Sequence, residues 1–164
     1  MKSKNRQLHE IAITAIIYKD SKVLIVRRAA SKKRFPKMWT MPGGRFEVED
    51  YLNFPKDTES YWYNVLERTL RREVKEEVNL EIKNIEYLTS LAAIYPDGSP
   101  SLVISCTADY AGGDIKVEKD ELDDYAWINL KEAKNYNLID GIYDELVMAD
   151  KKRKGIKEEW SRNA

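Results

Sequence analysis

The stretch Arg72-Glu73-Val74-Lys75-Glu76-Glu77-Val78-Asn79-Leu80, read together with Gly43-Gly44 upstream, decides how this 164-residue chain is understood. As a helix it sorts into two faces. Leu66, Leu70, Val74 and Val78 recur every fourth residue as an apolar stripe. Glu73, Glu76 and Glu77 stand at i, i+3 and i+4, so their carboxylates converge on another face. Like charges at that spacing repel by about 0.2–0.5 kcal/mol per pair on an exposed helix. Arg72 can pair with Glu76 one turn on, but one guanidinium does not neutralise three carboxylates. A hard divalent cation would, and Mg²⁺ takes oxygen ligands while leaving positions for water and substrate phosphates. The plainer reading is the solvated face of a charged helix. Against it stands the segment Trp39-Thr40-Met41-Pro42-Gly43-Gly44-Arg45, a tight turn on which backbone can approach a ligand closely.

Composition narrows the classes. Lysines plus arginines number 28 and so do aspartates plus glutamates, so nothing calls for bulk nucleic acid or an anionic membrane as partner. The length suits one domain with a real core. A single cysteine, Cys106, cannot form an intrachain disulfide and reads as a buried small side chain. With one histidine, His9, a histidine-built zinc or iron centre is disfavoured, which leaves oxygen ligands as the available metal chemistry. The apolar run Ile11 to Ile17 is far short of the ~20 residues of a membrane span, and it lacks a small-residue cleavage site. The expected setting is a reducing cytoplasm.

Taken in order, Met1 to Gln7 reads as a loose polar end, His9 to Tyr18 as a buried strand, and Val23 to Arg28 as its partner across a turn. Ala29 to Lys37 is a basic loop, either solvated or offering a cation to a phosphate. Trp39 to Phe46 is a short strand and turn. Residues 47–63 are acidic and aromatic, too aromatic for a floppy linker, and are expected to pack near the mouth of a site. Roles as a lid or as an oligomer interface, a homodimer in the simplest case, both stay open. The helix spans 64–78, followed by strands at 80–93 and 101–110 around the Pro96-Asp97-Gly98-Ser99 turn. An acidic loop, 118–124, leads into a short strand, 125–128. A short helix at 131–134 and a C-terminal helix at 138–152 complete the fold, with 153–164 loose. In the last helix Leu138, Ile142, Leu146 and Ala149 face inward. The fold class is α/β, a mixed sheet between helices.

Residues 72–80, preceded by Pro42-Gly43-Gly44, resemble the Nudix box of MutT-like hydrolases, whose pattern is G-x5-E-x7-R-E-U-x-E-E-x-G-U with U aliphatic. Two departures stand out. Asn79 replaces the closing Gly, at a position that needs the left-handed backbone conformation Asn tolerates best after Gly. Between Gly44 and Arg72 lie 27 residues where the family has 13, an insertion of 14. The first acid of the box is therefore either lost or supplied by Glu47, Glu49 or Asp50, the last of which sits six positions after Gly44.

The resemblance implies the Nudix fold for a single domain over 1–164. It also implies Mg²⁺-dependent hydrolysis of a nucleoside diphosphate linked to another group, with Mn²⁺ as a substitute and a nucleoside monophosphate released. Glu73, Glu76 and Glu77 would be metal ligands with the Gly44 carbonyl, and Arg72 would hold the cluster. Glu76 and Glu77 count as catalytic, and the general base is Glu77 itself or a loop acid, Glu121 ahead of Glu118. Arg28, Trp39 and Tyr95 are read as substrate-binding, with Tyr18 and Trp62 as further rings for a base. The substrate is a nucleoside triphosphate or ADP-ribose type. The competing readings are a Nudix-fold nucleotide sensor without catalysis and an interaction module built on the aromatic insertion.

Overall fold

The computed structural model describes residues 7–161. Its centre is β1 (Glu10–Lys19), whose Ile-rich, β-branched run suits a buried strand. It pairs in parallel with β6 (Pro100–Gly112) from Glu10 to Tyr18, and antiparallel with β2 (Lys22–Arg28) across a turn at Asp20. β4 (Gly43–Arg45) lies antiparallel to Ala12–Thr14. β2 carries β3 (Trp39–Thr40) and β7 (Leu122–Ile128), and β5 (Glu81–Ile94) forms the far edge beside β6. The result is a mixed seven-stranded sheet.

Strand alternation gives the sheet two apolar faces. Ile13, Ala15 and Ile17 of β1, with Leu24 and Val26 of β2, meet Leu70, Val74 and Val78 of α2 (Val65–Val78). Ile16, Val23 and Ile25 point the other way, against Ile142, Leu146 and Ala149 of α3 (Ile142–Arg153). The sheet is thus sandwiched between helices, as expected. Cys106 is buried in the first of these layers.

Two elements differ from expectation. The segment 131–134 is a 3₁₀ turn (Glu132–Asn135), closed by reciprocal bonds in which the Asn129 N–H donates to Glu132 and the Glu132 N–H to Asn129. The last helix begins at Ile142 and not at Leu138. Residues 137–139 instead run beside β3, the Trp39 N–H donating to Asn137 O at 2.9 Å and the Ile139 N–H to Trp39 O at 2.9 Å. Backbone satisfied by a neighbouring strand has no need of a helical turn.

The insertion is ordered against α2. Its short helix α1 (Glu49–Leu52) carries the middle ring of a small aromatic cluster: Phe46 stacks on Tyr51 with centroids 5.6 Å apart, and Trp62 meets Tyr51 at a tilt, 5.2 Å away. The Trp62 indole donates to Phe54 O at 2.8 Å, and the Arg68 guanidinium of α2 sits 5.1 Å over the Phe54 ring. At the other end of α2, Asn79 adopts φ 60 and ψ 30, its N–H donating to Lys75 O and its side-chain amide to Asp114 O. The left-handed stop expected of this position is present. Of the ends expected to be loose, 1–6 and 162–164 lie outside the described residues, while Glu158 of the C-terminal segment pairs with Lys151 at 2.7 Å. Among the described residues no helix is long and apolar enough to cross a membrane.

Leu70 is fully buried between α2 and the sheet. Leu70→Ala should therefore cost about 2–5 kcal/mol, read as a lowered midpoint in urea with the slope unchanged.

Candidate active site

The glutamate row is organised by Arg72. Its Nη1 bridges two members, 2.8 Å from Glu73 and 3.0 Å from Glu76, while Nη2 donates to Arg45 O at 3.1 Å. Its Nε lies 2.5 Å from Asp50, with Nη2 3.2 Å from the second oxygen of the same carboxylate. Asp50 is buried and also accepts Thr69 Oγ1 at 2.8 Å and the Glu47 N–H at 2.9 Å. Burial pushes its carboxyl up, but the Arg72, Glu47 and Thr69 bonds outweigh that and hold it below the ordinary carboxylate value. Of the three acids considered for the first place of the box, Asp50 is the one that meets Arg72. Its spacing from Gly44 was the signal, and the surplus residues fall after it.

Gly43 and Gly44 are matched to the row. A Cβ built on Gly44 would lie 2.1 Å from the Glu73 carboxyl carbon, so only glycine lets that carboxylate rest against β4. The Gly43 N–H donates to Glu77 Oε2 at 3.0 Å. Glu77 is 9% exposed, and its carboxyl is pushed up to about 8. Burial is the main cause, opposed by the Gly43 bond, reinforced by Glu73 and Glu121, and eased by Arg28. Burial raises Glu73 as well, against the pull of Arg72.

The acidic loop closes over the end of α2, with the Glu118 N–H donating to Glu77 O at 2.9 Å. Glu121 is brought within electrostatic reach of Glu77, and its carboxylate is held by Lys32 at 2.5 Å. The Glu118 side chain turns to its own loop, accepting the Asp120 N–H at 3.5 Å. Arg28 faces both Glu77 and Glu121; burial pulls its guanidinium down from its ordinary value. Its Nε donates to Arg34 O at 2.9 Å, and among the described residues it forms no ion pair. Most of the basic loop is neutralised instead, Lys32 by Glu121, Arg34 by Glu10 and Asp97, and Lys37 by Asp123.

Some expected roles need correction. Trp39 offers no stacking face: it is buried in the layer under α3, edge-on to Tyr136 at 4.9 Å with Arg27 over its ring at 5.7 Å. The backbone exchange with residues 137–139 holds it inside. Tyr95 is half-buried near Arg28, with the Arg34 guanidinium over its ring at 3.8 Å. Tyr18 lies under Arg153 at 3.6 Å, and Trp62 belongs to the insertion. The three glutamates share a helix face as expected, but Arg72 bridges two of them. Among the described residues no group of three acidic, histidine or cysteine side chains is drawn together closely enough to hold a metal ion.

The sequence pattern of the NUDIX domain matches residues 8–147. The chain is 30% identical over 118 residues to the NAD-capped RNA hydrolase NudC of Vibrio atlanticus, an alignment covering 72% of this chain and 36% of that protein. It spans between 22% and 36% of the length of the curated relatives that head the comparison. Among solved structures, a MutT NUDIX hydrolase from Burkholderia pseudomallei superposes with a TM-score of 0.68 at 19% identity, covering 87% of this chain and 98% of that one. The NUDIX domain of Shewanella oneidensis NrtR, solved with ADP ribose, gives 0.68 at 23% identity, covering 93% and 94%. At these identities the structures show the fold.

Between the ordinary value of 4.5 and about 8, the folded chain keeps a proton on Glu77 that the unfolded chain has lost. In chelator, stability should thus fall by on the order of a few kcal/mol as pH rises through that window. Denaturation midpoints should drop more steeply across the window for the parent than for Glu77→Gln, in which the raised carboxyls of Glu73 and Glu145 remain.

Proposed function

This chain belongs to the NUDIX domain family, and from that premise we infer that it is a pyrophosphohydrolase cleaving a nucleoside diphosphate linked to a second group, releasing a nucleoside monophosphate. The observation that carries the reading is the row Glu73, Glu76 and Glu77, three carboxylates on one helix face with a single guanidinium among them.

The row fits a divalent cation by its chemistry. Every donor is oxygen, Glu77 is buried with one backbone N–H for company, and Glu73 is raised by burial despite its bond to Arg72. Glu73, Glu76 and Glu77 would hold Mg²⁺ or Mn²⁺, with the Gly44 carbonyl as a further ligand. Such an ion, when bound, neutralises phosphate oxygens and acidifies water. For Glu73 and Glu76 to serve, Arg72 must release its hold on them while keeping Asp50, which anchors it from the other side.

The chain's own groups supply the rest. Arg28, half-buried and lacking a carboxylate of its own, is placed to receive a phosphate oxygen beside Glu77. Tyr95 stands next to it as a ring for the nucleoside. Glu121 is the choice for accepting the proton of the attacking water. It is 44% exposed, steadied by Lys32, and adjacent to the buried Glu77, whose bond to Gly43 suits a ligand better than a base. The ADP-ribose type of substrate is supported by the names of the NudC relative and the NrtR neighbour, and a lone buried thiol suits a reducing cytoplasm. One observation favours a nucleotide sensor instead: the closed Arg72 bridge across Glu73 and Glu76.

In a screen of ADP-ribose, nucleoside triphosphates, dinucleoside polyphosphates and nucleotide sugars, hydrolysis of an ADP-ribose or nucleoside triphosphate type of compound should appear with Mg²⁺ or Mn²⁺ and vanish in chelator. Glu76→Gln and Glu77→Gln should each lower kcat/KM by about a hundredfold or more, beyond what losing an outer support costs. Nucleotide binding without turnover across that panel would establish the sensor. Gly44→Ala tests the seat of Glu73. Its methyl group displaces only the end of a flexible side chain, so stability should change by less than about 1 kcal/mol while activity falls with that of Glu73→Gln.

A further inference from the structure

The two longer strands with a single partner among the described residues are β7, seven residues long, and β5, with 14. We propose that the second half of the β5 edge is a dimer interface, on which a second copy of this chain pairs antiparallel about a twofold axis at Ala92. This inference does not depend on the hydrolase reading.

Open edges invite further strands, and proteins guard them with charges, proline and bulges. β7 carries Asp123 and Asp124. The first half of β5 carries Glu81, Lys83 and Glu86, and its register breaks at 81–82, 83–86 and 87–89. From Thr89 to Ile94 every guard is missing: the register is unbroken, and there is no charge and no proline. The side chains here are apolar and open to solvent. Leu91 and Ala92 are exposed, Ile94 is 80% exposed, and Leu102 of β6, also exposed, stands opposite Ala92.

Backbone direction fixes the axis. The Tyr95 N–H donates to Ser99 O at 3.1 Å, so by antiparallel alternation Thr89, Leu91 and Ala93 turn their polar groups to β6. Ser90, Ala92 and Ile94 therefore turn theirs outward. Pro100 stands opposite Ile94, where no N–H is needed between the two strands. With the axis at Ala92, Ser90 meets the partner's Ile94, Ala92 the partner's Ala92 and Ile94 the partner's Ser90. Any other centre leaves at least one of the three without a mate in the unbroken stretch. A second copy suits this edge because an uncharged strand meets its own uncharged like, and the closed twofold leaves no half-edge for a third chain. The ends add complementary charge. Lys152, which donates to Tyr87 O at 2.7 Å and pairs with Glu86, is brought toward the partner's Asp97, and the axis repeats that contact. A contact of this extent lies at the small end of specific interfaces, so the dimer is reversible.

Sedimentation velocity of the parent from about 1 to 100 µM should show a monomer–dimer equilibrium. Ala92→Lys and Ala92→Glu each set like charges against each other across the axis, and each should weaken dimerisation about tenfold or more. Thermal melts establish that both variants are folded. Mixed in equal parts they should pair again, a result that a folding defect cannot produce. Tyr61→Lys, among the exposed aromatics of the insertion, should leave the dimer as it is. A parent that stays monomeric throughout, a dimer untouched by Ala92→Lys, or a mixture that stays monomeric overturns the interface. A dimer lost in Tyr61→Lys and kept in Ala92→Lys overturns it too, and moves the contact to the insertion.

Discussion

Arg72 is the group on which the rest of the site depends. Its guanidinium reaches a buried aspartate of the insertion, the backbone of Arg45 in β4, and two glutamates of its own helix. A planar fork with donors in fixed directions can serve so many acceptors at once, and an ammonium could not. Because Asp50 is nearly enclosed and further held by Thr69 and the Glu47 N–H, the pair is anchored from the insertion side. Removing one partner would leave the other's charge without compensation in a poorly solvated place. The same anchor leaves the glutamate side adjustable: Glu76 is 58% exposed, where an ion pair contributes little.

That anchor also explains how the chain carries its insertion. The surplus residues lie between Asp50 and Arg72, two groups bonded to each other, so the ends of the longer loop are pinned together. Lengthening such a loop about threefold costs only about 1 kcal/mol of closure entropy. The Phe46–Tyr51–Trp62 cluster and the Phe54–Arg68 contact bury aromatic surface in return. The insertion is thereby packed on α2, with its Asp50 bonded to the arginine that bridges Glu73 and Glu76, and is not a tether.

Around Glu77 the balance is different. It is the most buried acid of the row, and its nearest charges are two acids and one arginine, with a single backbone donor. An acid in that position is ill at ease as a lone anion and suited to sharing a cation. Arg28 extends the same logic to the substrate, since it is a half-buried cation whose neighbours in the basic loop are already neutralised by their own acids.

The sequence alone determined whatever follows from local periodicity and local chemistry. Leu70, Val74 and Val78 fall on one side of a helix and the glutamates on another by spacing alone, and the apolar runs of β1 and β2 marked them as buried strands. Asn79 could be read as a left-handed stop because that preference belongs to the residue itself. Contacts between distant segments were decided only in the tertiary structure. The acid that would meet Arg72 could be narrowed to three, but the choice of Asp50 needed the fold of α1 against α2. Trp39 looked as available as Tyr95, because nothing local reveals that residues 137–139 run alongside it and seal it in. Glu77 and Glu76 are neighbours of identical chemistry, yet one is buried beneath Gly43 and the other faces water. Burial is a property of what the rest of the chain places around a residue, and pairwise spacing carries no record of it.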